Sequence, residues 1–476
     1  MLAAAAAMMV TLLLAAALAG AVNSGAAQSL AGSLQPGAAP SPLRRAAQRL
    51  LLPPLGAWDR ADALLDRHRL SVALAHPRDA RPLRVQAAEM DADLRRRFLT
   101  YGGRLFLSST PPVETSDLCL WQGVFAATMA LDYDRERTPE RLRRAEAAFD
   151  GLALMTARGR PLARSVLPLE VRSEPPGPYG RRDDRWQWKE DASIDSAAGW
   201  VFGMIAVVEL LPSRRARALD VLQRYADTLA AGGYLLRNSD GSETRYDAVG
   251  GAVLNSPPGM LTTLAVLKTL ERRGRGARYG EAHRLFVDEG QDRWAAYGTA
   301  PISFLNMTTN HNIAVLGLSA ALLAEDDPGR QARYARGLLR IETLTRKMDN
   351  SFWIYLTEWT LSRRPEVRAS LAGDPAYRAH LATSAERLAA AKTAMLQWHY
   401  PHNKIKAPRA GRPGGAVPVP IYDRPAADFV WQRSPYDTSG WLGADLRRSQ
   451  GQAYAPLDFL AAYALGRATG AITPEE

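Results

Sequence analysis

Trp186-Gln-Trp-Lys-Glu-Asp-Ala-Ser-Ile-Asp-Ser-Ala-Ala-Gly-Trp-Val-Phe-Gly203 is the stretch from which the fold is read. Its second half starts a strongly apolar helix, and Glu190, Asp191 and Asp195 stand at the entrance to that helix. Acids suit this place electrostatically, because a helix N-terminus carries partial positive charge. Three acids between Trp186 and Trp188 and a run of apolar residues are more than a cap requires. The segment is therefore read as one wall of a substrate cleft, on which the other polar stretches converge.

Outward from this stretch, helical patterns recur with short breaks. The apolar spacing of three and four predicts helices near 83–99, 117–132, 139–157, 193–211, 215–231, 258–273, 278–289, 310–324, 328–346, 351–362, 380–397 and 455–468. Ile313, Leu316, Leu318 and Leu322 are interrupted by Ala and Gly, so that helix is buried on more than one side. Glu140, Arg141, Arg143, Arg144 and Glu146 give helix 139–157 a wet face. Drier and wetter helices alternate, which suggests two concentric layers. The expected fold is all-α, an (α/α)6-type toroid of antiparallel helical hairpins. Two exceptions stand out. Asn238-Ser-Asp-Gly241 is a turn signal that predicts a small β-hairpin within 232–250. Residues 401–440 form a Pro- and Gly-rich excursion whose length suits a lid or cleft wall.

Residues 1–22 are almost entirely Ala, Leu, Val and Met, followed by a small-x-small cleavage pattern ending at Ala27. This reads as a signal peptide over 1–27, and an exported, periplasmic or extracellular protein is expected. The run lacks a basic n-region and is about long enough to span a bilayer, so an uncleaved anchor is the alternative. Residues 28–82 follow as a linker and N-terminal helical segment, with a short basic helix near Arg44–Leu52 and another over Trp58–Leu70; the main domain spans 83–476. Cys119 is the one cysteine among 476 residues, so no intramolecular disulfide forms, and its apolar neighbours mark a buried thiol. Lys and Arg number 60 against 49 Asp and Glu, a net charge of +11 that reads either as an arginine-rich composition or as attraction to a polyanion. No nucleic-acid module accompanies it, so an acidic glycan fits better than nucleic acid.

The Lys189-Glu-Asp-x-Ser-x-Asp-Ser-x-x-Gly199 segment and the late Asp428-Phe-Val-Trp-Gln-Arg-Ser-Pro435 segment resemble stretches of exported α/α-toroid proteins, the six-hairpin glycosidase-like superfamily. The resemblance extends as a pattern over roughly residues 83–470. It implies the toroid fold, a cleft at one end of the ring and a carbohydrate-type ligand. It leaves the reaction open, because one scaffold hosts many activities.

Glycoside hydrolysis commonly uses two carboxylates roughly 5 to 10 Å apart on opposite sides of the scissile bond. If both were helical, Asp191 and Asp195 would share one face, about 6 Å apart at Cβ. Both would point the same way, so one of them is expected to be the acid or base and the other to tune it. The opposing carboxylate is expected from Asp117, in Ser116-Asp-Leu-Cys-Leu-Trp-Gln-Gly123 beside Trp121 and Gln122, or from Asp349, in Met348-Asp-Asn-Ser-Phe-Trp353. Plain N-capping is the competing reading of all these acids. Thr308-Thr-Asn-His-Asn312 opens an apolar helix: His311 is a candidate proton shuttle, and Asn310 and Asn312 are candidate donors to a sugar carboxylate. That set suits a lyase, with a base acting beside a uronate and donors stabilising the enolate; a polar first turn satisfying its own backbone is the alternative. Trp431 is a candidate sugar platform, Arg433 a bidentate partner for a carboxylate or sulfate, and Tyr436 a hydroxyl donor. Trp186, Trp188 and Trp353 are further stacking candidates, against the alternative that they are core.

No metal or other cofactor is expected. His399 and His402 flank a proline that breaks any helix aiming them together. The 238–247 turn resembles a calcium loop only in its core, because Leu236 occupies the place of the first acidic ligand. The expected function is cleavage of a poly- or oligosaccharide by a carboxylate pair. Uronate elimination, and a non-catalytic glycan-binding or cell-envelope role, are the alternatives.

Overall fold

The computed structural model describes residues 69–72, 81–157, 159–175, 177–244, 257–298, 307–398, 400, 417–424, 429–436 and 452–476. The signal peptide, the linker, the basic helix near Arg44, all but the end of the Trp58–Leu70 helix, His399, His402, Asp428 and much of the 401–440 excursion lie outside them.

The described chain is mostly helical, as expected for an all-α protein. In chain order it runs α1 (Leu83–Arg97), β1 (Leu99–Thr100), β2 (Leu105–Phe106), α2 (Leu118–Arg135), α3 (Pro139–Leu154), β3 (Ser165–Pro168), β4 (Gly180–Arg182) and β5 (Trp186–Lys189). It continues with α4 (Ile194–Leu210), α5 (Arg215–Ala231), α6 (Pro257–Arg272), α7 (Ala277–Asp288), α8 (Gln291–Ala295), α9 (Met307–Ala324), α10 (Pro328–Leu344), α11 (Ser351–Ser362), α12 (Pro365–Ser370), α13 (Pro375–Met395) and α14 (Leu457–Ala468).

Local chemistry sets many of these boundaries. Proline follows a capping Thr or Asp at the starts of α3, α10 and α13, where Thr138, Asp327 and Asp374 accept from backbone N–H groups. Asp374 thus starts α13 five residues earlier than its apolar pattern alone suggests. Ser193 and Ser196 form a reciprocal capping box at the start of α4.

Two classes of helix result. In α2, every residue from Leu118 to Leu131 is buried, and in α4 every residue from Ser196 to Val208. By contrast α3, α5 and α10 bury one stripe and leave charged residues outside. Contacts follow this division. The dry helices α2, α4, α6, α9, α11 and α14 each touch the next in that order, and α14 touches α2. Each also packs against a further helix, α3, α5, α7, α10, α13 and α1 respectively, and α4 packs directly against α9 as well. No single described helix is long and apolar enough to cross a membrane; α4 and the segment through α5 pass such a test only jointly and are bent by 112° between them.

The tightest of these contacts joins α2 to α4. A Cβ added to Gly123 would lie 1.9 Å from the carbonyl oxygen of Gly199, and one on Gly203 would lie 2.5 Å from the carbonyl oxygen of Gly123. The two backbones touch, and only glycine permits this.

The strands were not among the expected elements. Trp186–Lys189 is the central strand of a three-stranded antiparallel sheet, order β3-β5-β4, with Val166 and Arg181 flanking Trp188. The expected 232–250 hairpin reduces, within its described part, to a tight turn closed by one bridge between Arg237 and Glu243. Its Asn238 side chain is drawn instead toward the start of α4, where Oδ1 accepts from Asp191 N at 2.8 Å.

The late segment Phe429–Gln432 enters the interior between the dry helices. Phe429 stacks on Trp121 at 4.4 Å and meets Phe352 edge-on at 5.1 Å. Trp431 donates from Nε1 to Asp458 O at 2.8 Å, while Val430 N donates to the Asp458 carboxylate at 2.9 Å.

Candidate active site

The first turns of the dry helices lie at a common end. Cys119 of α2 sits against Ser196 of α4, and Gly259 of α6 packs against Ile194 of α4. Trp353 of α11 donates to Asn312 of α9 at 2.9 Å, and Asn350 and Asp458 bind the 429–432 segment from α11 and α14. Partial positive charge from these helix ends is therefore directed at whatever acids stand there.

Asp117 and Asp195 stand there together. Asp117 precedes α2 and makes no capping hydrogen bond, so capping does not account for it. Its carboxylate accepts from Arg164 Nη2 at 3.3 Å. Asp195 lies in the first turn of α4, whose cap is supplied by Ser193 and Ser196. Protein encloses the Asp195 carboxyl while leaving it a window to solvent. Burial and the Asp117 charge push its pKa up to about 6, against the opposing pull of Arg164. The close approach of α2 and α4 at their glycines holds the two carboxyl groups near each other.

Arg164 was not expected from sequence. It is nearly buried and ties three segments together. Nε donates to Ser116 O, Nη1 to Asp191 O at 3.3 Å, and Nη2 to Asp117. Its main chain joins β5 to α2, accepting from Cys119 N and donating to Lys189 O. A lone arginine inside Leu162-Ala-Arg-Ser-Val-Leu167 was the available signal, because a charge interrupting an apolar run needs a partner. Replacing Arg164 by Gln is expected to destabilise the fold by about 2 kcal/mol, below the range for a fully buried pair because Asp117 is partly exposed. The same change should raise the Asp195 pKa further, by removal of a nearby positive charge. Urea denaturation and an NMR titration of the carboxyl carbons measure the two effects; a fall in the Asp195 pKa would contradict this electrostatic assignment.

Asp191 plays another part than the one expected. It is not on the helix with Asp195: it lies in the connection from β5, buried, with φ 63 in the left-handed region. Non-glycine residues held there are commonly strained. Its backbone receives Asn238 on one side and Arg164 on the other. Neighbouring Glu190 is buried and accepts from Ser239 Oγ at 2.6 Å. Glu190 and Asp191 thus fasten the 238–242 turn beside the start of α4. The neighbour that tunes Asp195 is Asp117, across the helix pair.

Asp349 belongs to a second cluster. It too has a left-handed backbone, φ 42, and is buried. It accepts from Ser71 Oγ and lies near Arg424, a wholly enclosed guanidinium drawn down to about 10 by burial and donating to Val419 O at 3.1 Å. Its neighbour Asn350 supplies the cap of α11.

Several aromatic assignments are corrected. Trp121, Trp186, Trp353 and Trp431 are 1%, 4%, 3% and 1% exposed, which leaves no ring face for a sugar. They pack instead on Phe429, on Tyr101 at 4.8 Å, beside His311 at 6.1 Å, and on Trp398 at 6.1 Å, respectively. Gln122 is also internal: Oε1 accepts from Phe106 N, while Nε2 donates to Arg104 O and Ala148 O. Tyr436 is buried, its hydroxyl within reach of Leu70 O at 2.8 Å and Lys347 O at 2.6 Å, so the structure engages it with backbone. His311 and Asn312 are buried beside Trp353, whereas Asn310 keeps partial exposure. Trp188 is half-buried with the Arg160 guanidinium 4.7 Å from its ring centroid, and Arg433 is partly exposed. Of the proposed binding set, Trp188, Asn310 and Arg433 are the residues with accessible surface.

Among the described residues no group of three or more His, Cys, Asp or Glu side chains is arranged to hold a metal ion. The chemistry available is proton transfer between two unlike carboxyl groups. One is poised to hold its proton into the weakly acidic range, and the other is held against an arginine. Compared with known proteins, the chain matches no family model, no curated protein and no solved structure.

Proposed function

We propose that the chain is an exported glycoside hydrolase built on an (α/α)6 toroid. The sequential contacts of the six dry helices, with α14 returning to α2 and a further helix packed on each, support the toroid. The export reading rests on the apolar N-terminal run. A carbohydrate ligand is the inference from the sequence resemblance, and the net positive charge favours an acidic glycan. The observation that carries the reaction is the Asp117–Asp195 pair, with Asp195 raised to about 6. In this reading Asp195 is the general acid that protonates the departing glycosidic oxygen. Asp117, held beside Arg164, is the base or nucleophile on the other side of the bond.

The test is a screen of neutral and acidic glycans, read at once for new reducing ends and for the absorbance of unsaturated uronates. Hydrolysis gives reducing ends without that absorbance. The Asp117→Asn and Asp195→Asn variants should each fail on a substrate the unmodified chain cleaves. Cleavage at the original rate by both variants would rule out this assignment, and unsaturated products would replace it by elimination.

A further inference from the structure

A cavity of about 370 Å3 lies between the last turns of α2 and α14 and the first turns of α1 and α3. Asp117 and Asp195 lie at the opposite ends of α2 and the dry helices, so this cavity shares no residue with them. Five arginines line it, Arg84, Arg135, Arg141, Arg144 and Arg467, against three carboxylates. The carboxylates are already used. Asp132 binds Arg135 at 3.0 Å and also Arg141; Glu136 binds Arg141 at 2.7 Å and also Arg135; Asp91 binds Arg144. Two guanidinium groups remain without a carboxylate partner among the described residues. Arg84 donates only to a main-chain oxygen, Glu475 O at 2.8 Å. Arg467 makes no hydrogen bond or ion pair there, and its Nε is buried without a partner. A half-exposed guanidinium on a concave wall, with one buried nitrogen unpartnered, is completed by an anion that reaches it.

The rest of the wall restricts that anion. Leu460, Tyr463 and Met129 present an apolar and aromatic face. The bound carboxylates keep free lone pairs that accept from hydroxyl groups. The volume falls within the range of small-molecule sites. We propose that this cavity binds a compact hydroxylated molecule bearing one strong anion, a phosphate or sulfate monoester of monosaccharide size. Arg467 and Arg84 hold the anion, Asp132 and Glu136 receive hydroxyls, and Tyr463 covers the body of the molecule. This site is independent of the hydrolase reading.

Isothermal titration calorimetry of the full chain at fixed ionic strength tests it, with glucose 6-phosphate, glucose 6-sulfate, glucose and inorganic phosphate as ligands. At least one ester should bind in a saturable way and more tightly than inorganic phosphate, and glucose should give no binding; which ester is tighter identifies the anion. Arg467→Ala should weaken the ester by about 10- to 100-fold, the usual consequence of losing a charged hydrogen-bond donor. Arg467→Lys should weaken it less, and Asp195→Asn should leave it unchanged. The proposal is overturned if neither ester saturates, if inorganic phosphate binds as tightly as both, or if folded Arg467→Ala and Arg467→Lys proteins bind like the unmodified chain. Loss of binding in Asp195→Asn with retention in both Arg467 variants would place the anion at the other end of the helices and equally overturn it.

Discussion

Asp195→Asn is expected to reduce glycan cleavage by about 10^2- to 10^4-fold, the usual contribution of a positioned general acid. It is also expected to make the protein more stable at neutral pH. The two effects share one cause. An unfolded aspartate loses its proton near 3.8, and the folded Asp195 near 6. Between these values the folded state keeps a proton that the unfolded state has released, so stability falls as pH rises through the window. Above about pH 6 the cost is complete, on the order of 3 kcal/mol at most, and less because Asp195 keeps some contact with water. Asparagine carries no charge and escapes that cost. The variant should therefore outlast the unmodified chain in urea at pH 7.5, and the difference should vanish near pH 3.5. Activity of the unmodified chain should decline as pH rises through 6, since the acid must be protonated. A variant with normal cleavage, or one less stable at pH 7.5 than at pH 3.5 relative to the unmodified chain, would contradict the assignment of a raised carboxyl to this position.

Gly123→Ala should be the most damaging small substitution in the fold. The added methyl carbon would stand 1.9 Å from the Gly199 carbonyl oxygen, a backbone atom that cannot rotate away. Helices α2 and α4 would have to separate along a seam that both bury completely. Overpacking of this kind costs about 3 kcal/mol or more where neighbours cannot yield. Chemical denaturation measures the loss. Spreading the helices also parts Asp117 from Asp195, so the Asp195 pKa should fall toward its ordinary value in whatever folded protein remains. An unchanged denaturation midpoint would mean that the two backbones are not in contact.

The helices were legible because their signals are local. Twelve apolar patterns fall on helices of the structure, and proline after Thr138, Asp327 or Asp374 marks a start by simple capping chemistry. Asp117 and Asp195 were legible as acids before apolar runs. Their mutual influence was not, because it depends on which helices touch. Gly123, Gly199 and Gly203 held that information as small residues spaced to leave a groove, yet glycine spacing names no partner. The strand at Trp186–Lys189 was not expected, for a different reason. Trp-Gln-Trp-Lys alternates with a period of two, the signature of a strand, but four residues are too few for that period to stand out, and the strands that pair with them lie elsewhere in the chain. The tryptophans misled in turn. An aromatic beside acids reads equally well as a binding platform or as core, and only exposure separates them. Arg164 was overlooked because its partners come from 27 and 47 residues away in the chain.

The placement of Phe429 has a consequence for how the chain is synthesised. Trp121 acquires its stacking partner only after some three hundred further residues exist. Likewise α2 meets α14, and Arg84 N finds its acceptor in Glu476 O at 2.6 Å. A chain in which residues 429–476 are not yet in place therefore carries its earliest helices with an open apolar flank. Contacts of such long sequence separation slow folding and lengthen the interval in which that flank can aggregate. The order of synthesis, more than the content of helix, sets the period when this protein is most vulnerable.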